Sequence, residues 1–122
     1  MPQASKLTAV GFSAGQAKHI GGTVQGSLTA AGTTQGTAFS QSADVMQFTT
    51  VGSGTGVILN PMNAGDSAVI QNDTATNALL IYPPVGGQIN ALGTNAGYSL
   101  ATTATANVYC VNANQYICTS ST

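Results

Sequence analysis

Only five side chains in this sequence carry a formal charge at neutral pH: Lys6, Lys18, Asp44, Asp66 and Asp73. There is no Arg and no Glu, whereas roughly a quarter of the residues in an average soluble domain are charged. A free chain usually keeps itself apart from its neighbours with a mixed charged surface and a net charge away from zero. Here the formal net charge is -1, so the surface is expected to be neutral-polar or covered by a partner. Disorder does not account for the pattern, because disordered chains combine low hydrophobicity with high net charge, and 43% of these residues are hydrophobic. The chain should fold, and its 122 residues suit a single core.

Low charge also narrows the fold class. Exposed helices lean on Glu, Lys, Arg and Leu, and this chain is built from Thr, Ser, Gly, Asn, Val and Ala, which suit strands and tight turns. From Thr23 onward, short Thr, Val, Ile and Phe runs are cut by Gly-rich or Asn-rich turns, which reads as antiparallel sheet. About eight strands are expected, near 23 to 30, 34 to 40, 45 to 51, 56 to 60, 66 to 72, 78 to 83, 98 to 102 and 106 to 118, the last being a hairpin. The runs Val57-Ile58-Leu59, Val69-Ile70 and Leu79-Leu80-Ile81-Tyr82 fit core strands. Pro83-Pro84 removes two ladder donors, and Gly86-Gly87 permits a reversal into Gln88-Ile89-Asn90. No fixed period of twenty to fifty residues is visible, which argues against a solenoid. The expected fold is all-β, a compact antiparallel β-sandwich resembling a jelly roll, over residues 23 to 122.

Residues 1 to 22 read differently. Leu7, Val10 and Phe12 are isolated apolar residues in a small, polar segment, as in an extended arm that docks on something. Ser13-Ala14-Gly15-Gln16 has the form of a capping box and Gly21-Gly22 a stop signal, so one short helix from Ala14 to Ile20 is expected. No run approaches the roughly twenty apolar residues needed to span a bilayer, and no continuous apolar signal core follows Lys6. A product made in the cytosol and left unprocessed is expected, with no membrane partner.

Chemistry-bearing residues are sparse. His19 is the sole histidine, and no nucleophile turn of the G-x-S-x-G kind accompanies it. Asp44, Asp66 and Asp73 each fall where a turn residue is expected, which explains them without a carboxylate pair. Cys110 and Cys118 would lie on one side of a hairpin with a three-residue loop, a geometry that allows a disulfide, although buried reduced thiols are the simpler reading. Gly52-Ser53-Gly54-Thr55-Gly56 lacks the last glycine and the lysine of phosphate loops and reads as a turn between strands. Asn72-Asp73-Thr74 matches a glycosylation acceptor but reads as a turn. Two lysines cannot supply a nucleic-acid footprint. The expectation is no catalysis, no metal, no cofactor and no nucleic-acid partner.

The blocks LTAAGTTQGTA, FTTVGSGTGVILN, AGDSAVIQND, LLIYPPVGGQIN and VYCVNANQYICTS are spread, from Leu28 onward, over a stretch of about three-quarters of the chain. In order and spacing they resemble a domain that recurs among virion structural proteins of tailed bacteriophages. The resemblance implies a capsid decoration, or cement, protein that sits as a homotrimer on the outer capsid surface and clamps subunits of the major capsid protein. On that reading Leu7, Val10 and Phe12 are the expected contacts. The competing expectation is a tail-fibre or host-receptor module that holds a glycan through exposed Tyr98, Tyr109 or Tyr116. A structural hydrolase acting on the host envelope would need an acid-base pair from His19 and the aspartates.

Overall fold

The computed structural model describes residues 23–121. Within them the chain forms ten strands and one 3-10 turn. The strands are β1 (Val24–Thr29), β2 (Phe39–Ser40), β3 (Val45–Thr50), β4 (Gly56–Ile58), β5 (Ser67–Asn72), β6 (Leu79–Tyr82), β7 (Gln88–Ile89), β8 (Tyr98–Leu100), β9 (Thr105–Asn112) and β10 (Gln115–Ser120). The expected all-β class holds, and the strand positions follow the runs seen in the sequence. Two details differ: the run at 34 to 40 begins with the 3-10 turn Gln35–Thr37, and the short β7 is an additional strand.

The antiparallel sandwich and the jelly roll do not hold. One sheet has the order β1-β3-β5-β9-β10-β7 and the other β2-β4-β6-β8, so successive strands alternate between sheets until the final hairpin. β1, β3 and β5 are therefore parallel to one another, as are β2, β4 and β6. Parallel neighbours need a crossover, and here the crossover is a strand of the opposite sheet. This is a solenoid-like winding closed by antiparallel pairings of β5 with β9, β9 with β10 and β6 with β8. The turn signals were read as hairpins, but the same residues also let a chain arch from one sheet to the other. The rungs are irregular as well. Val24, Val45 and Val69 stack in register, as do Phe39, Val57 and Ile81, at unequal separations along the chain. That irregularity hides the repeat.

Strand alternation puts one core between the sheets. In β5 the pattern is strict: Ala68, Ile70 and Asn72 are buried, while Ser67, Val69 and Gln71 are half-buried on the outer face. β3 turns Met46 and Phe48 inward and β9 turns Ala106, Val108 and Cys110 inward, against Val57, Leu79, Ile81 and Leu100 of the second sheet. Phe39 and Phe48 meet edge to face across the layers, 5.5 Å between centroids, a favoured aromatic geometry. Beyond Tyr82 the chain leaves the second sheet as the prolines require. Gly87 N–H donates to Pro84 O (2.8 Å) across a turn in which Gly86 has φ +88°. The chain then enters β7, which pairs in parallel with β10.

The expected arm and short helix at 1 to 22, with Leu7, Val10, Phe12 and His19, lie outside the described residues.

Candidate interaction surface

The six-stranded sheet presents a broad outer face. Its ladder pairs Val24 with Val45, Val45 with Val69 and Val69 with Asn107. One pleat repeat toward the end where β3 and β5 begin, Ser67 pairs with Tyr109 and Tyr109 with Ile117. Val24 is 73% exposed, Tyr109 47%, Val111 46% and Ile117 45%. The remaining outward residues of these strands include Gln47, Gln71, Thr105, Asn107 and Thr119, so the face is apolar and neutral-polar with no charged side chain. Nothing in the composition distinguished these apolar residues from core residues. The signal was their alternation with Met46, Ile70, Val108, Cys110 and Cys118, which marks the opposite face of the same strands.

Charge sits at the rims of this face. Asp44 and Asp66 immediately precede the parallel strands β3 and β5 at one end, and Asp73 follows β5 at the other. Asp44 Oδ2 accepts from Thr23 N–H (3.0 Å), and Asp44 N–H donates back to Thr23 Oγ1 (3.2 Å), which fixes where the chain enters β1. Asp66 closes the turn from Asn63: its N–H donates to Asn63 O (3.0 Å), and its Oδ2 accepts from Asn63 N–H (2.9 Å). Asp73 Oδ2 accepts from Gln47 Nε2 (3.2 Å). All three carry out turn or strand-end work with neutral partners. Residues 23 to 121 hold no Lys, Arg or His, so none of the three has a cation to pair with among the described residues. Among those residues no group of three or more His, Cys, Asp or Glu comes together in a way that could hold a metal ion.

The tyrosines expected on a glycan-binding surface separate. Tyr109 is exposed on the outer face, but Tyr116 is fully buried and its hydroxyl accepts from Met62 N–H (3.3 Å). Burial raises the Tyr116 pKa, opposed by that hydrogen bond. Tyr98 is half-buried, with its hydroxyl 2.8 Å from Ser120 Oγ. Of the three, Tyr109 is the one exposed on this face.

The cysteines are both buried and free, on the inward side of the final hairpin. They do not lie opposite one another. Cys110 pairs with Tyr116 and Cys118 with Val108, because a bulge between Gln115 and Tyr116 shifts the register. The connection is the two residues Ala113 and Asn114 rather than three. Cys110 Sγ lies 3.1 Å from Asn112 O and 3.4 Å from Met62 O as a weak donor. Burial pushes the Cys118 thiol up to about 11.

Two loops read correctly as turns acquire structural roles the sequence did not show. In 52 to 56, Thr55 donates to Gly52 O through N–H (3.1 Å) and Oγ1 (2.8 Å), with Gly54 at φ +75°, and the loop carries the chain from one sheet to the other. In 72 to 74, Asn72 is the last residue of β5 and wholly buried, so its amide nitrogen is no glycosylation acceptor in the folded chain. Against known proteins, no family model, no curated protein and no solved structure matches this chain.

Proposed function

We propose that this chain is a capsid decoration protein of a tailed bacteriophage, which attaches to the outer surface of the head and bridges major capsid protein subunits as a homotrimer. The observation that carries the reading is the wide, uncharged outer face of the six-stranded sheet, with Val24, Tyr109, Val111 and Ile117 exposed on it. Contiguous exposed apolar surface marks interaction sites, and a face without charge suits a permanent, multivalent contact. The virion part of the reading rests on the resemblance of the sequence blocks to virion structural proteins of tailed bacteriophages. Leu7, Val10 and Phe12 add apolar contacts from the segment before β1.

The test is the copy number of the chain per purified virion relative to the major capsid protein, by quantitative mass spectrometry. A near one-to-one ratio is expected. A few copies per particle would move the protein to the tail or neck, and absence would remove the virion reading.

A further inference from the structure

The outer face of the six-stranded sheet carries two kinds of side chain. Val24, Val45, Val69, Tyr109, Val111 and Ile117 form an apolar band that crosses β1, β3, β5, β9 and β10. Gln47, Gln71, Thr105, Asn107 and Thr119 flank it. Each of these amides and hydroxyls can both donate and accept a hydrogen bond. The three aspartates stand at the rims, where strands begin and end.

We infer that in the free protein two copies of this chain pair through these outer faces, sheet on sheet about a twofold axis, with the apolar bands at the centre of the contact. A twofold contact is isologous: it sets a surface against the same surface of the second copy. A charged face fails that requirement, because its charges meet their own sign, and a face of pure donors or pure acceptors fails it too. This face passes on both counts. Side chains that donate as well as accept find partners in their own copies, and with the aspartates at the rims no carboxylate is drawn into the contact. A partner of different composition is selected by complementary charge, and this face offers none.

The dimensions suffice. The five strands that carry the band are six to eight residues long. Five strands at about 4.8 Å, each with six residues at about 3.3 Å, outline about 480 Å². The accessible surface of a pleated face exceeds its outline, so pairing removes upwards of about 1,000 Å² from water over the two copies, the level at which interfaces become specific. Stacked sheets lie about 10 Å apart, a gap that valine, isoleucine and tyrosine side chains from both copies fill. The inference stands apart from the virion reading: it concerns the free chain, and a shell contact through this face would exchange one partner for the other.

The experiment follows the full chain by sedimentation equilibrium from about 1 μM to about 1 mM, the range in which an interface at the small end of the specific class dissociates. The unaltered chain is expected to pass from one copy per particle to two. Tyr109→Asp sets an unpaired charge into the contact from each side and is expected to raise the dimer Kd about tenfold or more, while the methyl resonances of inward Ile70 and Ile81 stay in place and report an intact fold. A mixture of labelled and unlabelled unaltered chain, at the high end of the range, is expected to give intermolecular NOEs to the methyls of Val45, Val69, Val111 and Ile117. A single copy at every concentration overturns the inference. So does a dimer that folded Tyr109→Asp leaves as stable as before, or one whose intermolecular NOEs fall on other surfaces. Failure of the virion reading would register only in the particle copy number, so the two results separate.

Discussion

Asn72 is the residue on which the most backbone converges. It is fully buried; its Nδ2 lies 3.0 Å from Asn77 O, 3.2 Å from Ala101 O and 3.3 Å from Leu100 O, while its Oδ1 accepts from Thr74 Oγ1 at 2.8 Å. One amide thus ties the end of β5 to the loop before β6 and to the end of β8, which joins the two sheets. A buried polar group left without its partner costs about 1 to 3 kcal/mol. Ala101 O and Asn77 O keep a second donor in Ala104 N–H and Thr74 Oγ1, so Asn72→Ala is expected to lower stability by about 1 to 3 kcal/mol, read as a lower urea midpoint at an unchanged slope. Cys118 gives a pH signature. Its thiol is raised by burial from an ordinary value of 9.0 to about 11, so the folded state holds a proton that the unfolded state releases. Its contribution is whole below pH 9 and is lost as pH rises from 9 toward 11, by up to about 1.4 kcal/mol per pH unit. Tyr116, also raised by burial, adds to the loss above pH 10. Urea midpoints under reducing conditions should fall across this window, and Cys118→Ala should flatten the fall; equal slopes in both proteins would show that the thiol is not its source.

Between β4 and β6 the backbones leave no room for a side chain at Gly56. A Cβ on Gly56 would lie against Leu80 O, 2.9 Å from Leu80 Cβ and 3.0 Å from the Tyr82 ring, and one on Gly97 would lie 3.0 Å from the same ring. Tyr82 is buried on the outer side of the smaller sheet because these glycines leave room for it. Forced overpacking costs about 1 to 3 kcal/mol. Gly56→Ala is therefore expected to destabilise the fold by about that amount, read as a lower thermal midpoint, because the Leu80 carbonyl it meets is backbone and cannot swing aside. The sequence allowed Gly56 to be read only as the end of a turn, because a glycine required by a neighbour two strands later has no local mark. The same limit explains which parts of the fold were legible. Strand positions were, since Ala68, Ile70 and Asn72 alternate with Ser67, Val69 and Gln71, and since Pro83-Pro84 ends a strand whatever sheet it belongs to. Sheet membership was not, because the turn residues at 52 to 56 serve an arch between sheets as well as a hairpin within one. The outer face was legible only as the complement of the core: Tyr109 and Ile117 look like core residues until their register partners are known, and the alternation of β10 that turns Ile117 outward turns Tyr116 inward.

At the scale of the whole molecule, the controlling quantity is the near absence of charge. A chain of formal net charge -1 has little long-range attraction to offer a partner, so under the proposed decoration role the exposed apolar face is what would supply the adhesion. Raising salt from about 0.1 M to about 1 M shortens the screening length from about 10 Å to about 3 Å and removes most surface electrostatics, while apolar contact persists. Attachment to phage heads, measured as the copies retained after sedimentation through high salt, is therefore expected to be unchanged. Leu7→Ser/Val10→Ser/Phe12→Ser should lower that retention while leaving the urea midpoint of the sheet domain in place, because the three residues precede the described core. Release from the head at high salt would locate the adhesion in the five charged side chains and contradict a contact built on Val24, Tyr109, Val111 and Ile117.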